Sequence, residues 1–404
     1  MVLKKLQKNK MSNFMFPTNK QVVHNNYLLE RDSIVDFIFS PYNLYLLVTN
    51  NCNLACRYCY ASKVTRDLKK QVMPFSIAKK SVDFLFSQEK EYYQIAFFGG
   101  EPLMNFDLIK KVVSYCQGKN KNVRFFINTN ATLLNEENIL FMKQNDFNIV
   151  VSLDGGKEVQ NFCRPFKGGQ GTFEIVKKKI VLLQKLYQLD YISMVVNKKN
   201  LNICDQIKKL IDEGIESNFH LELITSNDPE LILDEEDMSK LNKEFKKITT
   251  LMIDTWNNEE KLIRIDNFLT NIPLVNKSPT FPKQYHCNGF TGHFSVAYNG
   301  DVYPCSHFIG DNRFITGNIV TGINIKKINS LIDKININNR EHCLDCDIKN
   351  ICGGGCHYVP YFYYGQLNKQ HNVFCKFQKL CFEQTLKWYP IMGQADQKEN
   401  KKIE

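Results

Sequence analysis

NLYLLVTNNCNLACRYCY, residues 43–60, is the stretch from which the rest of this chain is best read. An apolar run, Leu44–Val48, passes directly into cysteines at 52, 56 and 59. Three thiolates at that spacing can each bind one iron of a cubane cluster, which leaves the fourth iron without a protein ligand. An open iron is a place for chemistry. The other readings of the same three residues are a zinc knuckle and cysteines with no shared role.

Working outward, β-rich apolar runs alternate with helix-period stretches from about residue 43 to about 258, the pattern of a parallel α/β architecture. Strands are expected at 43–49, 94–98, 123–128, 148–153, 191–196 and 219–224. Between them Leu108, Val112 and Cys116 recur at helical spacing, as do Val176, Ile180, Leu183 and Tyr187. Leu241, Phe245, Ile248 and Met252 mark a last long helix. Six βα units predict an α/β fold, a partial (β/α)6 TIM-like barrel over 43–270, preceded by an extension over 1–42. The Pro- and Asn-rich stretch 271–283 reads as a linker, residues 284–385 as a cysteine-rich module, and 391–404 as a disordered tail.

Composition agrees with a chain of this kind. With 404 residues, 43% hydrophobic and 23% charged, it is long enough for a barrel and a smaller module. No apolar run approaches the roughly 20 residues of a membrane span, so no membrane partner is expected. The basic start, MVLKKLQKNKMSNF, lacks the apolar core of a secretion signal, and a cytoplasmic location is expected. Fourteen cysteines then argue for metal or redox chemistry rather than disulfides. The net charge of +10 is spread over helix-like lysine stretches, which reads as solvated helix faces, and no nucleic-acid partner is expected.

The run CNLACRYC, with Tyr58 inside it, closely resembles the signature of the radical S-adenosylmethionine (SAM) enzymes. The resemblance implies a [4Fe–4S] cluster on Cys52, Cys56 and Cys59 that binds SAM and cleaves it reductively to a 5′-deoxyadenosyl radical. Three later segments fall at the carboxyl ends of strands, where barrels place their chemistry: GGEP at 99–102, TNAT at 129–132 and SLDGG at 152–156. Each resembles a SAM-contacting element of that family. Gly99 and Gly100 permit close backbone approach, and Glu101, followed by Pro102, supplies a carboxylate near a cationic amine. Asn130 lies in the third-strand element, where Ala131 replaces a frequent family glycine. Ser152 and Asp154 are candidates for the SAM carboxylate or ribose, Arg164 for a fork to that carboxylate, and Asn197 for a further contact. Taken alone, a glycine turn, a helix cap and a surface arginine explain these residues equally well.

The C-terminal cysteines, Cys287, Cys305, Cys343, Cys346, Cys352, Cys356 and Cys375, resemble the complete SPASM pattern of radical SAM enzymes that act on peptides and proteins. By position, the resemblance implies two auxiliary [4Fe–4S] clusters. Cys343, Cys346, Cys352 and Cys375 would hold an outer one, and Cys287, Cys305 and Cys356 one nearer the barrel. Cys116, Cys163, Cys204 and Cys381 read as buried small apolar residues, with Cys381 close enough to Cys375 to compete for a cluster.

Sulfatase-maturing members of that group have a further cysteine where this chain has His293, and an aspartate where it has Ser306. A three-cysteine inner cluster leaves an iron open, or weakly held by His293, which itself reads better as a polar residue in a turn. An open iron can bind a substrate thiolate. The expected activity is therefore maturation of a precursor peptide with a leader and a cysteine-bearing core, by a thioether bridge from sulfur to carbon. An external flavodoxin- or ferredoxin-type electron donor is implied. The alternatives are oxidation or epimerisation of a residue in the manner of a sulfatase maturase and, in another class, a zinc-containing nucleic-acid-binding module.

Overall fold

The computed structural model describes residues 39–62, 69–258, 263–269 and 283–400. The linker expected at 271–283, apart from its last residue, and most of the N-terminal extension fall outside them. Six parallel strands form the frame: β1 Asn43–Thr49, β2 Tyr93–Gly99, β3 Val123–Thr129, β4 Asn148–Ser152, β5 Tyr191–Val196 and β6 Asn218–Leu223. Each expected strand is present with its ends within a residue of the expectation. The apolar runs leave little choice. β1 and β2 are apolar on both faces and buried on nearly every residue, as strands covered by helices must be.

Helices return the chain between strands: α1 Phe75–Phe86, α2 Phe106–Gln117, α3 Glu136–Gln144, α4 Lys157–Cys163, α5 Phe173–Leu186, α6 Ile203–Asp212 and then α7 Glu235–Asn258. The helical periodicity is met in three dimensions. Leu108, Val112 and Cys116 bury one face of α2, and Val176, Ile180 and Leu183 one face of α5. Leu241, Phe245, Ile248 and Met252 of α7 are fully buried. Phe97, Phe125 and Phe147 stack in series behind the sheet, with ring centroids 5.2–6.2 Å apart. Such ring pairs add about 0.5–1.5 kcal/mol each beyond the area they bury.

Two features depart from expectation. The C-terminal module is built into the barrel sheet. Strand β7, His293–Val296, pairs in parallel with β1 from Asn43↔His293 to Leu46↔Val296. The short strands β8 Asp301–Tyr303, β9 Gly317–Asn318 and β10 Gly322–Ile323 then extend it antiparallel. One open ten-stranded sheet results, in the order β10-β9-β8-β7-β1-β2-β3-β4-β5-β6. His293 thus begins a strand, where a turn was expected. The second departure is the tail, because the last helix runs from Asn372 to Asn400 through much of the stretch read as disordered. Gln, Ala, Lys and Glu are good helix formers, so polarity alone did not predict disorder there. Among the described residues no helix is long and apolar enough to cross a membrane.

Candidate active site

The cysteine loop leaves β1 at Thr49 and is fastened at both ends. Thr49 Oγ1 donates to the Gln71 carbonyl at 2.7 Å and accepts from Asn51 N at 3.0 Å. Farther along, Ala55 N donates to Pro165 O at 2.8 Å and Arg57 N to Cys163 O at 3.0 Å, which straps the loop to the exit of α4. Leu54 N lies 3.4 Å and Asn130 Nδ2 4.0 Å from Cys52 Sγ, the donors that a sulfur carrying negative charge accepts. Loss of water pushes the Cys52 thiol up to about 11 and the Cys56 thiol up to about 12, with the other two loop cysteines adding to the rise at Cys56. Metal loading here must therefore displace protons.

Gly99 and Gly100 end β2 against this loop. A Cβ on Gly100 would stand 2.1 Å from the Asn51 carbonyl oxygen, and one on Gly99 2.2 Å from that of Thr49. The missing side chains let β2 lie directly on the cysteine loop's backbone, joined to it by Gly100 N to Thr49 O at 2.9 Å and Glu101 N to Asn51 O at 2.7 Å. Glu101 is buried and already engaged. It accepts from Leu103 N at 3.1 Å, Thr129 Oγ1 at 2.6 Å and Asn130 N at 2.8 Å, and so ties the ends of β2 and β3 together. Burial still raises its carboxyl to about 7 against those bonds. Pro102 opens the short 3-10 turn that Glu101 caps.

Ala131, at the departure from the resemblance, has φ +64° and is fully buried. An L-residue in the left-handed region costs roughly 1–2 kcal/mol, partly offset by glycine's greater freedom when unfolded. Ala131→Gly is therefore expected to stabilise the protein by about 0.5–1 kcal/mol in urea denaturation. Destabilisation would show that the alanine methyl packs better than its backbone strains.

Asp154 and Arg164 are engaged with each other. Arg164 Nε and one terminal nitrogen each lie 3.0 Å from a different Asp154 oxygen, both side chains being buried. Asp154 also accepts from Val195 N at 3.0 Å and from the Tyr58 hydroxyl. The expected Arg164 fork to a ligand carboxylate is spent on Asp154, and Asp154 is a hub among four segments rather than a free ligand group. Asn197 is corrected too. Its amide donates to Val195 O at 2.8 Å and accepts from Lys199 N at 2.9 Å, capping the turn after β5 away from the cavity.

A cavity of about 190 Å³ gathers the remaining residues. Cys52, Cys56, Cys59 and Tyr58 line it with Gly99, Gly100, Glu101, Asn130, Ser152 and Arg164. Among the lining residues missed in the sequence are four polar or aromatic ones from later elements: Ser193 and Glu222 on β5 and β6, and His307 and Tyr358 from the C-terminal module. Ser193 was legible as a small polar residue within the apolar run of β5, Glu222 as one of the alternating polar positions of β6, and His307 and Tyr358 each lie two positions beyond a cysteine. Glu222 Oε1 accepts from Ser193 Oγ at 3.2 Å. His307 stacks on Tyr60 at 4.2 Å and packs against Tyr358 at 5.0 Å, roofing the cavity.

The C-terminal cysteines fall into two neighbourhoods. Beyond burial, Cys352 is raised to about 12 by Cys375, Cys343 and Cys346, and Cys375 is raised by Cys343 and Cys346. Cys305 is raised by burial and then by Cys287 and Cys356, and Cys356 to about 11 by burial and then by Cys287. The first four, together with Cys356, line a second cavity of about 210 Å³. These are soft donors gathered in groups of four and three, a set suited to iron–sulfur cages. Among the described residues no three His, Cys, Asp or Glu are drawn close enough to hold a single ion. His293 stacks on Tyr45 at 4.4 Å and its Nε2 lies 3.2 Å from Ser295 Oγ. Cys116, Cys163, Cys204 and Cys381 are buried in the core, as expected of structural thiols.

Residues 46–204 match the family model of the radical SAM superfamily. The chain is 36% identical over 272 residues to an uncharacterised protein of Methanocaldococcus jannaschii, covering 65% of this chain and 84% of that one. It is 29% identical over 360 residues to a cysteine-type anaerobic sulfatase-maturating enzyme of Clostridium novyi, covering 84% and 93% respectively. Its fold is that of the solved structure of native anSMEcpe with bound AdoMet and the Cp18Cys peptide, at TM-score 0.72 and 22% identity over 88% of this chain and 98% of that one.

Proposed function

Because this chain belongs to the radical SAM superfamily, we propose that it is a maturase that joins the sulfur of a substrate cysteine to a carbon of an acceptor residue in a peptide. The superfamily's [4Fe–4S] cluster and SAM supply, when bound, the radical that removes a substrate hydrogen. Cys52, Cys56 and Cys59 are assigned to that cluster, and the Gly99–Glu101 edge, Asn130 and Ser152 to the walls around SAM. Asp154 and Arg164 act one step back by fixing the loop that Tyr58 belongs to. Glu222, a carboxylate facing the same cavity, is the group assigned to accept the proton that the substrate thiol gives up on becoming a thiolate, before sulfur bonds to carbon.

The observation that carries the thioether reading is the inner cysteine set. Cys287 and Cys356 both act on Cys305, and Cys287 on Cys356, while His293 is engaged with Ser295 and Tyr45. Cys287, Cys305 and Cys356 would supply three ligands to an auxiliary [4Fe–4S] cluster, one fewer than its irons, which would leave room for a substrate sulfur, and Cys343, Cys346, Cys352 and Cys375 would hold a second. The division of labour is a barrel over 43–270 that generates the radical and a module over 284–385 that binds substrate sulfur. Electrons pass to and from a flavodoxin- or ferredoxin-type protein, and the substrate is a precursor peptide with a leader.

A second reading, oxidation of a substrate cysteine as in a sulfatase maturase, is supported by the near-full-length similarity to the Clostridium novyi enzyme. Ser306 argues against it, since the aspartate that serves those enzymes is missing here. Anaerobic reaction with a cysteine-bearing peptide, followed by thiol alkylation, hydrazide labelling and mass analysis, separates the two. A bridge consumes the thiol, keeps the sulfur, removes two hydrogens and leaves no carbonyl. A hydrazide-reactive, sulfur-free product would establish the oxidative reading instead. Glu222→Gln is expected to keep forming deoxyadenosine while product falls at least tenfold.

A further inference from the structure

The second cavity is lined by a buried arginine, Arg340. Arg340 precedes the cysteine run and is only 5% exposed. Its terminal nitrogens donate to the carbonyl of Gly354 and, at 2.7 Å, to that of Leu367, and one faces His357 Nδ1. Among the described residues no carboxylate forms an ion pair with it. Its Nε–H has no hydrogen-bond partner, and neither does His357 Nε2, although both atoms are buried. A buried guanidinium N–H left unpaired costs more than a neutral one, so its persistence calls for an acceptor that protein atoms do not provide.

The surroundings indicate what that acceptor is. Arg340 lines the cavity formed by Cys343, Cys346, Cys352 and Cys375, and also by Cys356 of the inner set. Burial works against its charge, while Cys343, Cys352, Cys356 and Cys375 favour it. The guanidinium is also immobile, pinned by two carbonyls and set against Gly354, where a Cβ would lie 3.4 Å from Nε.

We infer that Arg340 is a positioning residue for electron transfer: it offers Nε–H and a fixed positive charge to the anionic cluster held by the outer four cysteines, and so raises that cluster's reduction potential. Hydrogen bonds to sulfur and net local charge are two of the levers that set such potentials. The sign follows from charge. A cation stabilises the reduced, more negative cluster more than the oxidised one. Arg340 also borders Cys356 of the inner set, but four of the five cysteines lining its cavity belong to the outer one, where its charge acts most. This inference rests on the reading that the outer four cysteines hold a cluster.

The test is an EPR-monitored redox titration of reconstituted full-length protein, with Arg340→Gln and Arg340→Lys beside the wild type and iron counted in each. Arg340→Gln is expected to keep its iron and to shift one auxiliary signal at least tenfold towards the oxidised form, 59 mV for one electron. Arg340→Lys, which keeps the charge and loses Nε–H, is expected to fall between. Unchanged potentials in a fully loaded Arg340→Gln protein would overturn the inference and leave the cluster assignment standing. Loss of four irons from that variant would also overturn it, in favour of a scaffolding role. Wild-type protein with only the SAM cluster's iron would instead bring down the underlying assignment.

Discussion

Cys56→Ala is expected to abolish deoxyadenosine formation, lowering it at least ~10³-fold, because residues acting as one unit lose nearly the whole effect when one is removed. Fold should survive. The loop is held by backbone bonds from Ala55 and Arg57 to Pro165 and Cys163, none of which involves the Cys56 side chain. The measurement is anaerobic SAM cleavage with dithionite, followed by chromatography for deoxyadenosine, with circular dichroism showing intact secondary structure. A folded Cys56→Ala protein that cleaves SAM at a rate near wild type would remove the cysteine loop from the chemistry.

The second large effect concerns stability. Asp154→Ala is expected to destabilise the protein by about 3–5 kcal/mol, the usual consequence of leaving a buried charge without its partner. Arg164 would keep its charge among buried groups, and Val195 N and the Tyr58 hydroxyl would each lose an acceptor. Urea denaturation of the metal-free, reduced protein measures this directly. Removing both charges, as Asp154→Ala with Arg164→Met, should recover part of the loss, since the coupling between such neighbours is not additive. A single-variant cost under 1 kcal/mol would mean that the pair is not what fastens these segments.

The frame was legible because its strands are continuous apolar runs, and burial on both faces tolerates little else in such sequences. The cysteine loop and the Gly99–Glu101 edge were legible through their place at strand ends. What the sequence did not disclose was which polar groups meet. Asp154 and Arg164 stand ten positions apart, and it is α4, folding back between them, that brings the fork onto the carboxylate. Asn197 was a candidate ligand contact, yet the turn that follows β5 uses its side chain as a cap. The union of β7 with β1 was hidden for a different reason, since a four-residue strand some 250 residues from its partner leaves no periodic trace.

That union limits what can be done with the molecule. With β7 hydrogen-bonded along β1, the radical-generating half has no finished border on that side. A protein ending before residue 283 would present a bare row of amides and carbonyls beside the cysteine loop, inviting aggregation rather than a smaller working enzyme. The same seam ties the position of the C-terminal cysteines to that of the cysteine loop through the backbone pairing of one continuous sheet, so a loosened β7 would be felt at both.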